Sequence, residues 1–565
     1  MHSYNHATKP LNIRHILYIQ LILFVVILFS TSSFPQVVYT PSAHYVYEFL
    51  ERLSLKNVIE YHGEVKPISR KKIADFLREA SQKKDHLNSV ELKELDWLFE
   101  EYAYEIVGLS RLDEVKTDET RQDTVKQRWY LYSYPDSLFS VRISPYAGYG
   151  ISTTGNNSGY TRWWGGEMFS TYSDWFGASF NFKDIGEFGD NVDKKRSFSP
   201  LAALQYRDVS NGIEASDIRA SISFNWSWGS VSLAKDNLEW GNGNFGKLIL
   251  SEKAPPFTFI RLDLYPTDWL RFYYIHGWLN SLLYDSSSFS YNHTESIQPY
   301  LRKDYINKYI AANFLSISIF RWLDVSFGNS IVYSGKLRPE FFIPFIFFKS
   351  YDNRDADPTN ISDGNKQLYL DIAIKYPESY LFYSTLFADC IEIRRLLDGD
   401  PRRTDIGFTV GGKKIDFFLP NLDFTLEYTR INPWVYEHQD ETTTYKHLNY
   451  YLGHWLGQNA DQLRVQVDYQ PLRGLKLKAY TDFTNKGKLD DIYYRYDVLT
   501  YATFLSSPLR KEKRFSFEAS YEILHDLFAD AYYTYSDVTD EDPARAPSFL
   551  LGKKHSFALT IHYGL

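Results

Sequence analysis

The sequence contains almost no cysteine. Cys390 is the single cysteine in 565 residues, so the chain can form no disulfide within itself. A zinc site built from clustered cysteines is excluded for the same reason. The compartment in which the protein works must therefore be inferred from other features of the sequence.

An excess of positive charge is also missing. The chain carries 62 Lys and Arg residues against 70 Asp and Glu residues, which gives a formal net charge of −8. Proteins that bind nucleic acids neutralise phosphates with clustered Lys and Arg residues. We therefore exclude nucleic acid as a partner.

Long hydrophobic runs are absent beyond the N-terminus. There, Lys9 and Arg14 precede an apolar run from Ile16 to Phe29, and small residues come after it. This layout predicts a secretory signal peptide over residues 1–33. An uncleaved anchor helix is the alternative, but the run is shorter than the ~20 residues that span a bilayer.

Residues 38–112 have the spacing of amphipathic helices. Apolar residues recur three and four positions apart from Val46 to Leu53 and from Ile73 to Ala80, and a third helix is predicted after Ser89. We interpret this region as a small periplasmic α-helical bundle that caps or plugs the remainder of the chain. Its helix–loop–helix pattern also resembles half of a surface-layer-homology module, so peptidoglycan or another cell-wall polymer is an alternative partner. The charged residues 113–127 indicate a linker.

Over residues 128–565 the apolar period changes to two. Apolar residues alternate with polar ones in several segments, for example at Ile218, Ala220, Ile222, Phe557, Leu559 and Ile561. Such alternation is typical of strands with one buried face. A soluble β-sandwich alternates too, but it rarely exceeds ~250 residues as one domain. The pattern therefore favours a transmembrane antiparallel β-barrel surrounded by outer-membrane lipid.

Short turns set the number of strands. They recur at residues 172–175, 226–229, 265–269, 321–324, 376–379, 419–423, 470–474 and 524–527. Eight turns separate nine hairpins, which predicts about 18 strands, and each hairpin is expected to carry a longer polar loop. Outer-membrane barrels have short periplasmic turns and long external loops. Both termini are therefore expected in the periplasm, and the final strand resembles the signal that the barrel-assembly machinery reads.

The glycine-rich stretch "EWGNGNFG" at residues 239–246 begins like a phosphate-binding loop. A phosphate loop is followed by a helix N-terminus, whereas strand-like alternation flanks this one. Glu239, Trp240, Asn242 and Asn244 instead combine a carboxylate, an aromatic ring and two amides, which commonly bind sugars. We consider them candidate glycan-binding residues. In the alternative interpretation, Trp240 packs inside the barrel and the turn is architectural.

Two segments resemble the capsule assembly Wzi family. One is "DNLEWGNGNFGKLILSEKAPPFTFIRLDL" at 236–264, and the other is "YLGHWLGQNADQLRVQVDY" at 451–469. The second contains His454 and Trp455, which we add to the candidate glycan-binding residues. The resemblance implies an outer-membrane barrel of eighteen strands with a periplasmic helical bundle. It also implies a lectin-like protein that holds capsular or extracellular polysaccharide at the cell surface for capsule assembly.

The sequence gives no indication of catalysis. No G-x-S-x-G elbow precedes a helix, and His454 and Asp461 lie near each other without a nucleophile. We therefore expect no enzymatic activity, no cofactor and no metal site. The alternative function is a carbohydrate-selective porin with a cell-wall-binding N-terminal module, because eighteen strands can enclose an aqueous lumen.

Overall fold

The structure is a computed structural model. It describes residues 38–107, 128–136, 138–173, 175–292, 300–353, 364–391, 398, 404–488 and 502–564. The expected signal peptide at 1–33 and the expected linker at 113–127 lie outside the described residues.

Four helices form the N-terminal part of the described chain. They are α1 Val46–Leu55, α2 Arg70–Ser81, α3 Ser89–Glu101 and α4 Ala103–Val107. Helix α2 begins after Ser69, whose hydroxyl accepts a hydrogen bond from the backbone of Lys72. Helix α3 begins with a capping box in which Asn88 and Glu91 satisfy each other's backbone N–H groups. The apolar faces of α1, α2 and α3 meet in one buried cluster, as the helical spacing predicts.

Eighteen long antiparallel strands close into a barrel. In chain order they are β1 Phe139–Thr154, β2 Asn157–Tyr172, β3 Phe176–Gly189, β4 Gly212–Trp226, β5 Gly229–Asp236, β6 Phe257–Thr267, β7 Leu270–Tyr284, β8 Tyr305–Phe320, β9 Leu323–Ser334, β10 Asn365–Ile374, β11 Tyr380–Ile391, β12 Thr404–Lys414, β13 Leu422–Ile431, β14 Ala460–Leu472, β15 Leu475–Lys486, β16 Arg510–Leu524, β17 Leu527–Asp540 and β18 Gly552–Tyr563. Strand β18 pairs with β1 and closes the ring. Two short strands, Tyr132–Pro135 and Tyr206–Val209, pair beside β1 and β4.

The connections at the two ends of the barrel differ in length. All eight short turns that the sequence predicts join consecutive strands at one end, here called the short-turn end. The opposite end, the long-loop end, carries extended connections such as residues 237–256 and 432–459. The expectation of a long loop in every hairpin is wrong for the first hairpin, because only Gly155 and Asn156 separate β1 from β2. Gly155 has a φ of +58°, which suits a tight hairpin turn.

The outward face of the barrel is apolar and the inward face is polar. Ile218, Ile222, Phe557 and Leu559 are exposed on the outside, as the period of two predicts. Aromatic residues at the short-turn end, including Trp175, Trp269, Trp322 and Tyr376, are also exposed and form a girdle. Among the described residues, no helix is long and apolar enough to cross a bilayer.

The helical region closes the lumen at the short-turn end. In α1, Arg52 donates a hydrogen bond to Asp423 at 2.7 Å. Glu64 accepts one from Arg271 of β7 at 2.7 Å. In α3, Trp97 stacks on His525 of the β16–β17 turn with ring centroids 3.5 Å apart. These contacts hold the helices to three separate parts of the barrel wall.

Candidate functional site

The glycine-rich loop at 237–256 folds into the lumen instead of extending outward. Its apolar side chains Leu238, Leu248 and Ile249 are buried in the largest hydrophobic cluster of the protein. Residues Glu239–Trp240 form a two-residue antiparallel pairing with Val65–Lys66, which precede helix α2. The loop therefore extends from the long-loop end down to the helical region.

Trp240 is part of this buried packing. Its side chain is 1% exposed and stacks on Phe314 of β8, with ring centroids 5.5 Å apart and planes 13° apart. Tyr369 of β10 lies edge-on to the same indole ring. The ring therefore has no face open to solvent. Its placement agrees with the architectural interpretation of the loop.

The two segments that resemble the Wzi family pack against each other. A Cβ atom added to Gly246 would lie 2.3 Å from Nε2 of His454, so only glycine leaves room for the imidazole. The hydroxyl of Tyr436 donates to the carbonyl of Leu248 at 2.7 Å, and that of Tyr445 donates to the carbonyl of Ile249 at 2.8 Å. The loop at 432–459 therefore seals the glycine-rich loop inside the barrel.

His454 is buried and electrically neutral. Burial, with a smaller effect of the Lys486 ammonium, lowers the pKa of His454 to about 3. Its Nδ1 atom accepts a hydrogen bond from the backbone of Leu456 at 3.2 Å. The side chain of His454, like that of Trp240, is fully buried and does not line the cavity described below.

The other four candidate residues line one cavity. Glu239, Asn242, Asn244 and Trp455 face a cavity of about 750 Å³ between the helical region, the glycine-rich loop and the inner wall of β12–β17. Sequence reasoning missed Phe245, Lys247, Arg464 and Tyr532, which also line it. The alternation along β14 and β17 could have marked Arg464 and Tyr532 as inward-facing, but no sequence signal placed them beside this loop.

The polar residues of the loop are tied to the wall. Asn242 donates its backbone N–H to Asp371 of β10 at 3.0 Å, and its side-chain amide bonds the same carboxylate. Asn244 donates its backbone N–H to Glu427 at 2.6 Å and its amide to Tyr383 at 3.0 Å. These bonds fix the loop so that the cavity is formed before any ligand enters.

Aromatic and cationic groups lie together on the cavity wall. The Arg464 guanidinium stacks over Phe245 at 4.3 Å and over Tyr480 at 3.6 Å. Trp455 is half-buried, and its indole N–H donates to the carbonyl of Phe245 at 3.0 Å. The cavity therefore offers ring faces next to hydrogen-bonding groups, the combination that suits a sugar.

The charges around the cavity balance. Its basic residues are Arg52, Lys66, Lys247, Lys253, Lys413, Arg464, Lys476 and Lys478. Its acidic residues, equal in number, are Glu48, Glu51, Glu94, Glu239, Glu252, Asp423, Asp468 and Glu518. Burial, helped by the neighbouring Glu239 carboxylate, raises the pKa of Glu252 to about 7. The cavity therefore carries no large excess of one charge.

A smaller cavity of about 370 Å³ lies nearer the long-loop end. Tyr532 lines both cavities, and Phe198 and Arg510 line the narrow space between them. Lys253 holds the loop beside this space by donating to the carbonyls of Arg196, Ser199 and Leu201 at 2.6, 2.9 and 3.1 Å. The lumen is thus approached from the long-loop end along one side of the wall.

The family model of the capsule assembly protein Wzi matches residues 121–548, which include both glycine motifs and the first seventeen of the eighteen barrel strands. The chain belongs to this family. As the family and the fold both indicate, it is an outer-membrane β-barrel of capsule assembly. This confirms the resemblance, the fold class and the membrane that the sequence indicated.

Comparison with solved structures supports the barrel fold. The chain is similar to Wzi of Escherichia coli, described as an outer membrane protein involved in group 1 capsule assembly and a carbohydrate-binding β-barrel. The identity is 13%, the coverage is 94% of this chain and 100% of that chain, and the TM-score is 0.57. OprD of Pseudomonas aeruginosa is similar at 10% identity over 75% of this chain and 94% of that one, with a TM-score of 0.38. Among curated proteins, none matches.

Proposed function

We propose that the protein binds capsular or exported polysaccharide and holds it at the cell surface without acting on it as an enzyme. The observation that carries this proposal is the pair of neighbouring cavities that share Tyr532 on their walls, one bordered by the helices and the other nearer the long-loop end. The carbohydrate binding described for the Escherichia coli protein of the same fold supports it.

The orientation that we propose rests on the two ends of the barrel. Short turns of outer-membrane barrels face the periplasm, so the helical region, proposed as residues 38–112, and both termini would lie on the periplasmic side. The assignments of residues 1–33 to a signal peptide and 113–127 to a linker remain predictions from the sequence. The proposed partners besides polysaccharide are membrane lipid, the barrel-assembly machinery and, at the helical region, peptidoglycan.

The filled lumen supports a binding protein over the alternative porin. The glycine-rich loop and the loop at 432–459 occupy the lumen from one end, and the helices occupy it from the other. In planar bilayers the purified protein should therefore show no steady, large conductance. A stable open conductance would favour the porin.

The absence of catalysis is also part of the proposal. His454 is neutral and fully buried, so it cannot reach a substrate in the cavity. Within the described part of the chain, no group of three or more His, Cys, Asp or Glu residues is placed to hold a metal ion. Incubation with polysaccharide should release no shorter chains.

Binding of purified protein to polysaccharide from a capsulated host tests the proposal. Trp455→Ala removes a half-buried ring from the cavity wall, so it should weaken binding. Trp269→Ala is the matched control, because this exposed tryptophan lies in the girdle at the short-turn end. Both variants should give heat-modifiable, folded barrel.

In cells lacking the gene, polysaccharide should still be made but lost from the surface.

Two results would count against this site or this function. Undiminished binding by folded Trp455→Ala would move the glycan site away from the cavity. A normal capsule in cells without the gene would contradict surface retention itself.

A further inference from the structure

The segment "RPEFFIPFIFFKS" at 338–350 lies on the outside of the barrel. It comes after β9, which ends at the long-loop end, and folds back along the wall. On β8 and β9 the outward positions are odd-numbered, since Ile319 and Phe327 are exposed there. Asn313 and Asn329 have the same parity as these residues, and both contact the segment. The segment therefore covers part of the face that the other strands turn to lipid.

Polar side chains on this outward face bind the backbone of the segment. Asn313 donates its amide to the carbonyls of Pro344 at 3.1 Å and Ile346 at 2.8 Å. Asn329 accepts from the backbone N–H of Phe348 at 2.7 Å. Without the segment, both asparagines would face hydrocarbon with unpaired polar groups, which is costly. The wall and the segment thus satisfy each other's polar groups.

Aromatic contacts fix the rest of the segment. The ring of Phe342 stacks on His276 of β7 with centroids 4.0 Å apart, and Phe345 stacks on Phe272 at 4.5 Å. The hydroxyl of Tyr274 donates to the carbonyl of Phe341 at 2.6 Å. One side of the segment is therefore bound to β7–β9 throughout.

The other side of the segment is apolar and uncovered. Ile343, Phe345 and Phe347 are 55%, 68% and 52% exposed. We call these three residues the apex of the segment. Basic residues flank it in the sequence at Arg338 and Lys349. An apolar apex between basic flanks fits hydrocarbon at the centre and lipid headgroups at the edges.

The depth of the segment decides which environment surrounds it. Phe272, under Phe345, lies two residues from the start of β7 and pairs with Leu315, which lies five residues from the end of β8 at Phe320. With about 3.3 Å per residue and a tilt of about 40°, Phe345 lies roughly 5–12 Å above the short-turn end. The apolar band of an outer-membrane barrel is about 25 Å tall. The apex therefore lies within the apolar band, in the half nearer the short-turn end.

We propose that residues 338–350 form a membrane-embedded loop whose exposed side chains bind the acyl chains of outer-membrane lipid. Irregular backbone in hydrocarbon must have its polar groups satisfied by protein. On the side facing the wall, the side chains of Asn313, Asn329 and Tyr274 form these hydrogen bonds with the backbone of the segment. The loop also gives the barrel a lipid-facing ridge that projects beyond the strands.

Nitroxide labelling of the full-length protein in vesicles of phosphatidylethanolamine and phosphatidylglycerol tests this proposal. With Cys390→Ser as background, a label at Phe345→Cys should be accessible to oxygen and protected from a water-soluble nickel chelate. The lipid reference is Phe327→Cys, because Phe327 is exposed on the wall and pairs with Leu315 at the same level. The water reference is Lys194→Cys, in a part-exposed position of the loop after β3.

The proposal expects the oxygen-to-nickel accessibility ratio at 345 to equal that at 327 and to exceed that at 194 several-fold. A ratio at 345 like that at 194 would place the loop in water and overturn the proposal. Low access of both reagents at 345, with normal values at 327, would show that a second copy or another protein covers the loop, which also overturns it. If Phe345→Cys does not fold, Ile343→Cys gives the same comparison.

Discussion

At position 240 the indole ring lies flat against Phe314 and is sealed by Tyr369. Removing a buried ring of this size takes away its burial energy and leaves a cavity. Trp240→Ala should therefore lower the free energy of unfolding by about 3–5 kcal/mol. The change in the free energy of unfolding can be measured from the urea concentration at which the barrel loses its heat-modifiability. Trp269→Ala, at an exposed position, should cost much less, and equal costs would show that burial of Trp240 does not stabilise the fold.

Gly246 and His454 should be coupled energetically. Gly246→Ala forces a Cβ atom against the imidazole, whereas His454→Ala removes the ring that it meets. In a double-mutant cycle, Gly246→Ala should therefore cost less in the His454→Ala background, with a coupling of about 0.5–3 kcal/mol. Strictly additive changes in the free energy of unfolding would mean that the backbone shifts to accommodate the methyl group.

Residue types alone could not assign roles within the glycine-rich loop. The combination of Glu239, Trp240, Asn242 and Asn244 was visible in the sequence, and three of these residues do line the cavity. Trp240 does not, because its partners Phe314 and Tyr369 come from strands far along the chain. Burial of a ring depends on such distant partners, which a local pattern does not contain.

Among the strands, depth in the membrane should control the cost of a charge. Leu559 faces outward four residues from the end of β18, near the middle of the apolar band, so Leu559→Arg should cost about 2–4 kcal/mol. Leu477 lies two residues from the start of β15 at the short-turn end, so Leu477→Arg should cost about 0–1 kcal/mol.

Refolding into lipid vesicles with urea titration measures both variants. Lys478→Ala on the lumen face of β15 is the control and should be close to neutral, since Lys478 faces the cavity. A similar penalty for Leu559→Arg and Leu477→Arg would contradict the depth assigned to the two strands.

The strands were predictable because each obeys local rules. Alternation of apolar and polar residues and the aromatic short turns depend on neighbouring positions, and they gave the strand number. The two-residue turn at Gly155 and Asn156 was missed, because the run "STTGNNSG" at 152–159 contains no apolar residue to show where β1 ends and β2 begins. The fold of the 338–350 segment was equally hidden, since its run of Phe and Ile residues has no strand period.

In the whole molecule, acid should release the helices from the barrel. Burial by itself raises the pKa of Glu105, but Arg142 of β1 and Arg70 outweigh it and lower the pKa to about 2. For Glu101, Arg128 and Arg70 outweigh burial and also lower the pKa to about 2. An unfolded Glu has a pKa of about 4.3. The stabilisation is therefore present above about pH 4 and is lost as the pH falls towards 2.

Pepsin, which is active at acid pH, can report this release. Cleavage within α1–α4 should become faster between about pH 4 and pH 2 while the barrel remains heat-modifiable. Arg142→Gln removes one partner of Glu105, so cleavage should begin at a higher pH than in the unchanged protein. If both proteins are cleaved over the same pH range, this ion pair does not hold the helices in place.

The filling of the lumen could not be predicted from the sequence. The helical spacing and the alternation defined two regions, but their contact depends on ion pairs between residues more than 200 positions apart, such as Glu64 with Arg271. The inward course of the loops likewise depends on Tyr436 and Tyr445 meeting carbonyls of a distant segment. These pairings result from the closed barrel, which brings remote residues to one axis.

The two-residue pairing of Val65–Lys66 with Glu239–Trp240 constrains the order in which the molecule is built. Both Val65 and Trp240 are buried inside a ring that the pairing of β18 with β1 closes. A helical region that arrived after closure would have to displace the loops already packed there. We therefore expect the N-terminal region to pack against its loop while the barrel wall is still open. The pairing of β18 with β1 would then come last and enclose an interior that is already packed.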